Sequence, residues 1–581
     1  MTDATVSPGR LVHPADSPDA AWWRDAVIYQ VYPRSFADSD GDGMGDLPGV
    51  TARLPYLRDL GVDALWLSPF YTSPQADAGY DVADYRQVDP TFGTLADAEA
   101  MIERAHELGL RVIVDLVPNH TSARHPWFQA ALAAAPGSPE RERYLFRDGR
   151  GPGGQEPPTD WRSVFGGPAW TRTPEQPAPG RPAQWYLNLF DSAQPDLDWE
   201  HPDVRAEFAA ILAYWLDRGV DGFRVDVAHG LVKDPTYRDW DQRTDMIAGD
   251  GSTLPTCASP YWDQDGVHEI YRAWRRVLDS YNPQGDPQRD RILCAEAWVE
   301  PVERLARYTR PDEMHQAFNF AFLESPWVAG ELRGWIEHSL TAADAVGAPT
   351  TWVLSNHDVV RHATRLGYPA DTPRSNGIRA TDPQPDAALG LRRARAATAL
   401  MLALPGSAYL YQGEELGLPE HTTLPDELRQ DPTYLRTKGT PEEEAGRDGC
   451  RIPLPWAGGE PGCGFGPGGR TWLPQPESYA QLAADRQAGV EGSTLELYRT
   501  LLRERRARRV GRGSLTWLQG YAEEVVALAV TAEGVAGRLL VVTNLGSTPV
   551  GLPAGAGLLV ASGPLTADGL VPTDTTVWLV G

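Results

Sequence analysis

Past residue 20 a short β-branched or aromatic run is followed again and again by a helical pattern, and no other feature of the 581 residues limits the fold so tightly. Eight runs can be counted: AVIYQVYPRSF (26–36), VDALWLSPF (62–70), LRVIVDLVPNH (110–120), VDGFRVDVA (220–228), RILCAEAW (291–298), QAFNFAF (316–322), TTWVLSNHD (350–358) and SAYLYQGEELG (407–417). Strands that alternate with helices run parallel, and eight of them predict an α/β fold closed as a (β/α)₈ barrel rather than an open doubly wound sheet. LADAEAMIERAHELG leads into the third run. RAEFAAILAYWLD places Phe208, Ile211, Leu212 and Trp215 at i, i+3, i+4 and i+7, so each segment predicts a helix shielding one barrel face.

Two segments break the rhythm. Residues 121–192, rich in Gly, Pro and aromatics, are too long for a plain loop and predict a small inserted domain over the strand ends; 418–480 reads as a second decorated loop. The barrel is thus expected from 1–120 and 193–510. Residues 511–581 switch to short alternating runs (LTWLQG, VVALAVTA, RLLVVTNLG, GLLVASG, TVWLVG) and predict a separate antiparallel β-sandwich. About the first 20 residues read as a tail.

The formal charge of −26 argues against nucleic acid and anionic membrane as partners, because both need clustered Lys and Arg. Cys257, Cys294, Cys450 and Cys463 are too few and scattered for a disulfide framework and are expected to be reduced thiols. The N-terminus has neither a basic nor an apolar signal region, and no stretch approaches the ~20 apolar residues of a membrane helix, so a cytoplasmic protein is expected.

In a barrel of this kind functional groups sit where strands end, and here those ends carry acids. Run four ends in Arg224-Val225-Asp226, run five in Ala295-Glu296-Ala297-Trp298 and run seven in Asn356-His357-Asp358. Carboxylates that converge raise one another's pKa, as a general acid needs, while a neighbouring Arg keeps a nucleophile ionised. That is the two-carboxylate arrangement of glycoside hydrolysis. Ordinary loop-end acids in salt bridges or helix caps are the alternative at this point.

The blocks DLVPNH (115–120), GFRVDVAHG (222–230), CAEAW (294–298) and SNHD (355–358) resemble, in order and interval, the four principal blocks of the α-amylase superfamily, glycoside hydrolase family 13. The resemblance implies Asp226 as nucleophile, Glu296 as general acid/base and Asp358 as a fixed acid gripping sugar hydroxyls. It also implies His120 and His357 at the subsite of the terminal sugar, with Arg224 oriented on the nucleophile, and a double displacement that needs no organic cofactor.

YPRSFADSDGDGMGDLPGV (32–50), AGYDVADY (78–85), QPDLDW (194–199) and RIPLPW (451–456) are similar to the oligo-1,6-glucosidase and α-glucosidase branch, although that branch usually reads RTPMQW at the last block. By this likeness Tyr80 stacks on the last glucose, and an Asp77–Arg451 pair binds its distal hydroxyl and blocks longer extensions. Asp38, Asp40, Asp42 and Asp46 alternate as in an EF-hand loop, yet position twelve is Gly49 where an EF-hand needs Glu. The resemblance implies one structural Ca²⁺ (or Mg²⁺) held by Asp38, Asp40, Asp42, Asp46 and the carbonyl of Met44, remote from the chemistry.

Linkage is less determined. Val227, after the nucleophile, looks like the choice of α-1,6-active enzymes, but QPDLDW and Glu296-Ala297-Trp298 depart from that group, and GFRVDVAHG resembles actinobacterial α-glucosidases. The expectation is a retaining, exo-acting α-glucosidase on maltose and short α-gluco-oligosaccharides, with sucrose a further candidate substrate. Its alternatives are an oligo-1,6-glucosidase and a glucosyl-transferring or isomerising relative such as a trehalulose or trehalose synthase. A catalytically dead binding subunit fits poorly, since both acids are present.

Overall fold

The computed structural model describes residues 8–17, 19–175, 180–240, 242, 256–373 and 375–581. Each of the eight runs holds one parallel strand: β1 (Val27–Val31), β2 (Ala64–Leu67), β3 (Arg111–Leu116), β4 (Gly222–Val225), β5 (Ile292–Ala295), β6 (Gln316–Ala317), β7 (Thr351–Val353) and β8 (Ser407–Tyr411). They pair in the order β6-β5-β4-β3-β2-β1-β8-β7, and a single parallel bridge, Phe318 to Thr351, joins the two ends of the sheet.

Alternation along each strand sorts the side chains. Ile28, Ala64, Trp66, Ile113, Cys294, Val353 and Tyr409 point into the barrel and pack on one another. Their neighbours Val27, Tyr29, Leu65, Leu67, Val112, Val114, Phe223 and Leu293 point outward and join the core beneath the helices. Among those helices is Leu95–Glu107, opened by a reciprocal capping box between Thr94 and Asp97. Helix Pro202–Leu216 buries Phe208, Ile211, Leu212 and Trp215, as the spacing predicts.

Residues 121–192 include a helix, Pro126–Ala133, and a three-stranded antiparallel sheet of Phe146–Asp148, Gln184–Leu187 and Trp170–Arg172; 176–179 lie outside the described residues. The C-terminal region is one six-stranded antiparallel sheet. One side of it lies on barrel helix Ala387–Met401, where Thr576 and Trp578 donate to the carbonyls of Ala396 and Ala399. Its other side forms a second apolar layer in which Val550 and Leu552, before strand Gly557–Ala561, and Leu565, after it, pack against a cluster that includes Val542, Val577 and Leu579. The expected N-terminal tail is corrected in part: Pro8–His13 is the sixth strand of this sheet, paired with Ser514–Leu518, and 1–7 and 18 lie outside the described residues. An edge strand supplied from the far end of the chain has no local sequence signal. No helix among the described residues is long and apolar enough to cross a membrane.

Candidate active site

The period of two that fills the barrel also builds the site. Counting on from the inward residues Ile113, Gly222, Ile292 and Val353 in steps of two reaches Asp115, Arg224 and Asp226, Glu296, and Ser355 and His357 at the C-terminal ends. The strand ladder extends far enough to fix two of them: the Asp226 amide donates to the Leu116 carbonyl (2.9 Å) and the Glu296 amide to the Val225 carbonyl (2.9 Å). One pocket is lined by Asp77, Tyr80, His120, Arg224, Asp226, Glu296 and Asp358, with further walls from Phe165, Phe190, Trp298 and Arg447.

At its floor Arg224 donates to Asp226 (2.7 Å) and Asp115 (2.9 Å) and stands 3.8 Å from Glu296. Burial raises Asp226 and Glu296 above the ordinary carboxylate range; each is pulled down by Arg224 and pushed up again by neighbouring acids. Buried Asp115 is pushed up to about 6 although Arg224, Tyr80 and Trp66 all bond it. Burial would also raise Asp358, but His357, Arg447 and Arg451 outweigh it and hold this acid well below its usual range.

Val227 joins the two strands. It is a β-branched residue at φ +46°, a left-handed conformation that costs about 1–3 kcal/mol and persists where surrounding bonds enforce it. Here its amide donates to Glu296 Oε2 (2.7 Å) and its carbonyl accepts from Gly230 (2.9 Å). A residue read from the sequence as a linkage marker therefore also holds the Glu296 carboxylate.

Asp81 accepts from Ser73, Ala76 and Asp77, folding the loop that brings Asp77 and Tyr80 to the rim. The Tyr80 hydroxyl donates to Asp115 (2.9 Å), and its ring lies parallel to His357 at 5.3 Å between centroids. The Gln30 side-chain amide donates to His357 Nδ1 (2.7 Å), which leaves the proton on Nε2, 3.2 Å from Asp358. His120 Nε2 lies 3.2 Å from the Tyr80 carbonyl and 3.1 Å from the Gln194 amide nitrogen. Burial keeps both histidines below their usual range, and hence neutral.

The expected Asp77–Arg451 pair is not formed. Arg447 takes Asp77 instead (2.8 Å), and the same guanidinium holds Asp358 (2.9 Å) and Asp431 (2.5 Å). Arg451 sits behind the wall, donating to Asp358 (2.9 Å) and the His357 carbonyl (2.8 Å). The reason is the 3₁₀ turn Arg447–Cys450: it brings both arginines to the same acids and puts the earlier one in front. Arg447, Gln194, Phe165, Phe190 and Trp298 are the site residues that sequence reasoning missed. The pair of arginines four apart in RDGCR was a usable signal.

In the acidic loop the carboxylates of Asp38, Asp40 and Asp42 come within 4.8 Å of one another, an all-oxygen set suited to a hard cation. Asp46 is directed elsewhere: it caps helix Leu47–Leu60 through Gly49 and accepts from Ser39. The Met44 sulfur accepts from Arg34, and the Met44 amide donates to Asp42.

Residues 30–512 match the model of the α-amylase catalytic domain. A probable α-glucosidase of Rhizobium meliloti is 37% identical over 505 residues, 84% of this chain and 83% of the relative. The trehalose-6-phosphate hydrolase of Escherichia coli is 36% identical over 517 residues, 85% of each chain. A crystal structure of an α-glucosyl transfer enzyme superimposes with a TM-score of 0.79 at 35% identity, covering 97% of this chain and 99% of its own.

Proposed function

Because the chain belongs to the α-amylase catalytic-domain family, we propose that it is a retaining, exo-acting α-glucosidase that releases glucose from the non-reducing end of maltose and short α-gluco-oligosaccharides. The observation that carries this reading is the Arg447 bridge between Asp77 and Asp358 on the pocket wall, whose carboxylates are charged acceptors for the hydroxyls of a terminal sugar. Phe165 backs the bridge, 5.0 Å from the guanidinium.

In this reading the coupled proton of the acid pair rests on Glu296, since Arg224 is 2.7 Å from Asp226 and only 3.8 Å from Glu296. Asp226 attacks the anomeric carbon while Glu296 gives its proton to the departing glycosidic oxygen. The resulting β-glucosyl ester is hydrolysed by water that Glu296, now a base, deprotonates, and the α configuration is restored. Asp358, held ionised by Arg447 and Arg451, grips the hydroxyls of the ring, and neutral His120 and His357 complete its polar surround. Asp115 and Tyr80 keep Arg224 turned toward the nucleophile.

A second reading is transfer of the glucosyl group to another sugar. It is favoured by Trp298, which lies flush on Phe320 (4.0 Å, 11°) beside Glu296 and offers an apolar face to an acceptor. Initial rates on maltose, isomaltose, sucrose and maltotetraose, with products separated by size at high donor concentration, decide between them. Rates on isomaltose at least tenfold above maltose would overturn the proposed linkage, and growth of oligosaccharides at the expense of free glucose would overturn hydrolysis as the main outcome.

We also propose that Asp38, Asp40 and Asp42 hold one structural Ca²⁺ or Mg²⁺. A chelator should then lower the melting temperature with little effect on initial rates well below it; an unchanged melting curve would refute this.

A further inference from the structure

Beneath the barrel, at the N-terminal ends of its strands, lies a cavity of about 190 Å³ whose charge is opposite to that of the chain as a whole. Arg111, Arg505, Arg506 and Arg512 line it against two carboxylates, Asp25 and Asp63. Both acids are already spoken for: Asp25 bonds Arg512 (2.9 Å), and Asp63 bonds Arg506 (2.6 Å) and accepts from the Val27 amide (2.8 Å).

The other two guanidiniums have no carboxylate within ion-pair distance among the described residues. Arg505 is buried and donates through Nη1 and Nη2 to three backbone carbonyls, those of Leu402 (2.7 Å), Leu404 (2.8 Å) and Gly406 (2.5 Å), while its buried Nε–H has no partner among the described residues and its charge is not cancelled. Arg111 lies over the Trp22 ring (4.3 Å) and donates to the Gln288 carbonyl (3.2 Å). Its nearest acids beyond Asp63 do not help, because Asp221 is engaged by His106 (2.7 Å) and Arg291 (2.9 Å). Burial lowers the pKa of both, Arg505 to about 10, and the more distant Asp25, Asp63 and Asp221 offset that only in part, so the protein bears the cost of one buried and one half-buried cation that no carboxylate pairs.

We propose that this cavity is a binding site for a small tetrahedral oxyanion, phosphate either free or as a simple phosphate monoester. Guanidinium forks match phosphate oxygens two at a time, and such a ligand supplies the charge that Arg111 and Arg505 lack. The pocket belongs to the fold, since β1, β2 and β3 begin in it and the segment 505–512 closes it from the other side. A bound anion therefore ties the first strands of the barrel to the end of the catalytic region and stabilises the folded chain.

The test titrates inorganic phosphate, and separately glycerol phosphate, into the full chain at fixed ionic strength in chloride, by calorimetry and by thermal shift. Saturable binding with a rise of about 2 °C or more in melting temperature is expected at ligand concentrations ~100-fold above Kd. Binding of inorganic phosphate alone assigns the free ion; equal or tighter binding of glycerol phosphate assigns the monoester. Arg111→Gln should weaken binding at least tenfold, and Asp25→Asn, which removes a repelling charge from the cavity wall, should tighten it. A merely structural role cannot move the two variants in opposite directions. No binding beyond the chloride control overturns the proposal, as do equal affinities in both variants or competitive inhibition of glucoside hydrolysis by phosphate, which would put the anion in the catalytic pocket.

Discussion

At their C-terminal ends the barrel strands gather six acids around three arginines: Asp115, Asp226 and Glu296 share Arg224, and Asp77, Asp358 and Asp431 share Arg447 and Arg451. At the other end of the same strands four arginines meet two aspartates. The difference follows the chemistry each end can serve. A surplus of buried acid stores a proton and favours the positive charge that an oxocarbenium-like transition state develops. A surplus of cation built around buried Arg505 favours a resident anion and has no use for a neutral sugar. Exchanging charges at the upper end should therefore change rate, and at the lower end stability and anion binding.

The largest expected effect is at the floor of the pocket. Asp226→Asn and Glu296→Gln should each lower kcat on an aryl α-glucoside by about 10⁴-fold or more. Neither should lower the melting temperature much, because each removes one acid from a crowd that burial and mutual repulsion already disfavour. A variant at Asp226 that keeps a tenth of the activity would end its assignment as nucleophile.

Next come the two arginines four residues apart. Arg447→Ala should cut kcat/KM by about 10²-fold or more, and Arg447→Lys should restore little, since an ammonium cannot span three acids as the planar fork does. Arg451→Ala should act through stability instead, by leaving Asp358 and the His357 carbonyl short of a donor behind the wall. If Arg451→Ala proved the more damaging to KM, Arg451 rather than Arg447 would be the arginine that faces the sugar.

A smaller effect concerns pH. Glu296 must be protonated to act as the acid, so activity falls as pH rises through its elevated pKa, and Asp115 is among the charges that elevate it. Asp115→Asn removes that push and releases Arg224 toward the pair, two changes of the same sign. The alkaline limb of the kcat/KM profile should move to lower pH; a limb that stays in place would detach Asp115 from the proton balance.

The sequence was informative wherever function rides on a local period. Alternation carries Asp115, Arg224, Asp226, Glu296 and His357 to one inward face, so eight strand runs disclose the barrel and much of its mouth together. It was silent where a choice depends on distant partners. Arg447 and Arg451 are equally basic, and a 3₁₀ turn that the spacing does not announce decides which one meets Asp77. Asp46 belongs to the alternating acids by position, yet the helix that starts beside it takes its carboxylate as a cap. Pro8–His13 becomes a strand only because an edge formed some 500 residues later is open to it. The cationic cavity was hidden for the same reason: its arginines come from β3 and from the segment 505–512, and the net charge of −26 points the other way.

The smallest expected effect is the one that separates the two ends most sharply. Arg111 stands at the start of β3 and Asp115 near its end, four residues apart on one strand that pairs with both β2 and β4. Were the barrel to transmit charge along its strands, Arg111→Gln would disturb the catalytic floor through that short path. But the interior between them is packed with side chains such as Ile113 and Trp66, which carry no charge and have one packed arrangement. The change in field from one partly exposed cation, screened by solvent on its own side, should leave kcat/KM within about twofold of wild type and the pH limbs where they were. Arg111→Gln should nonetheless lose phosphate binding. A tenfold fall in kcat/KM without unfolding would mean that the two ends are coupled, and the surplus of cation below would then have to be read as part of the catalytic electrostatics.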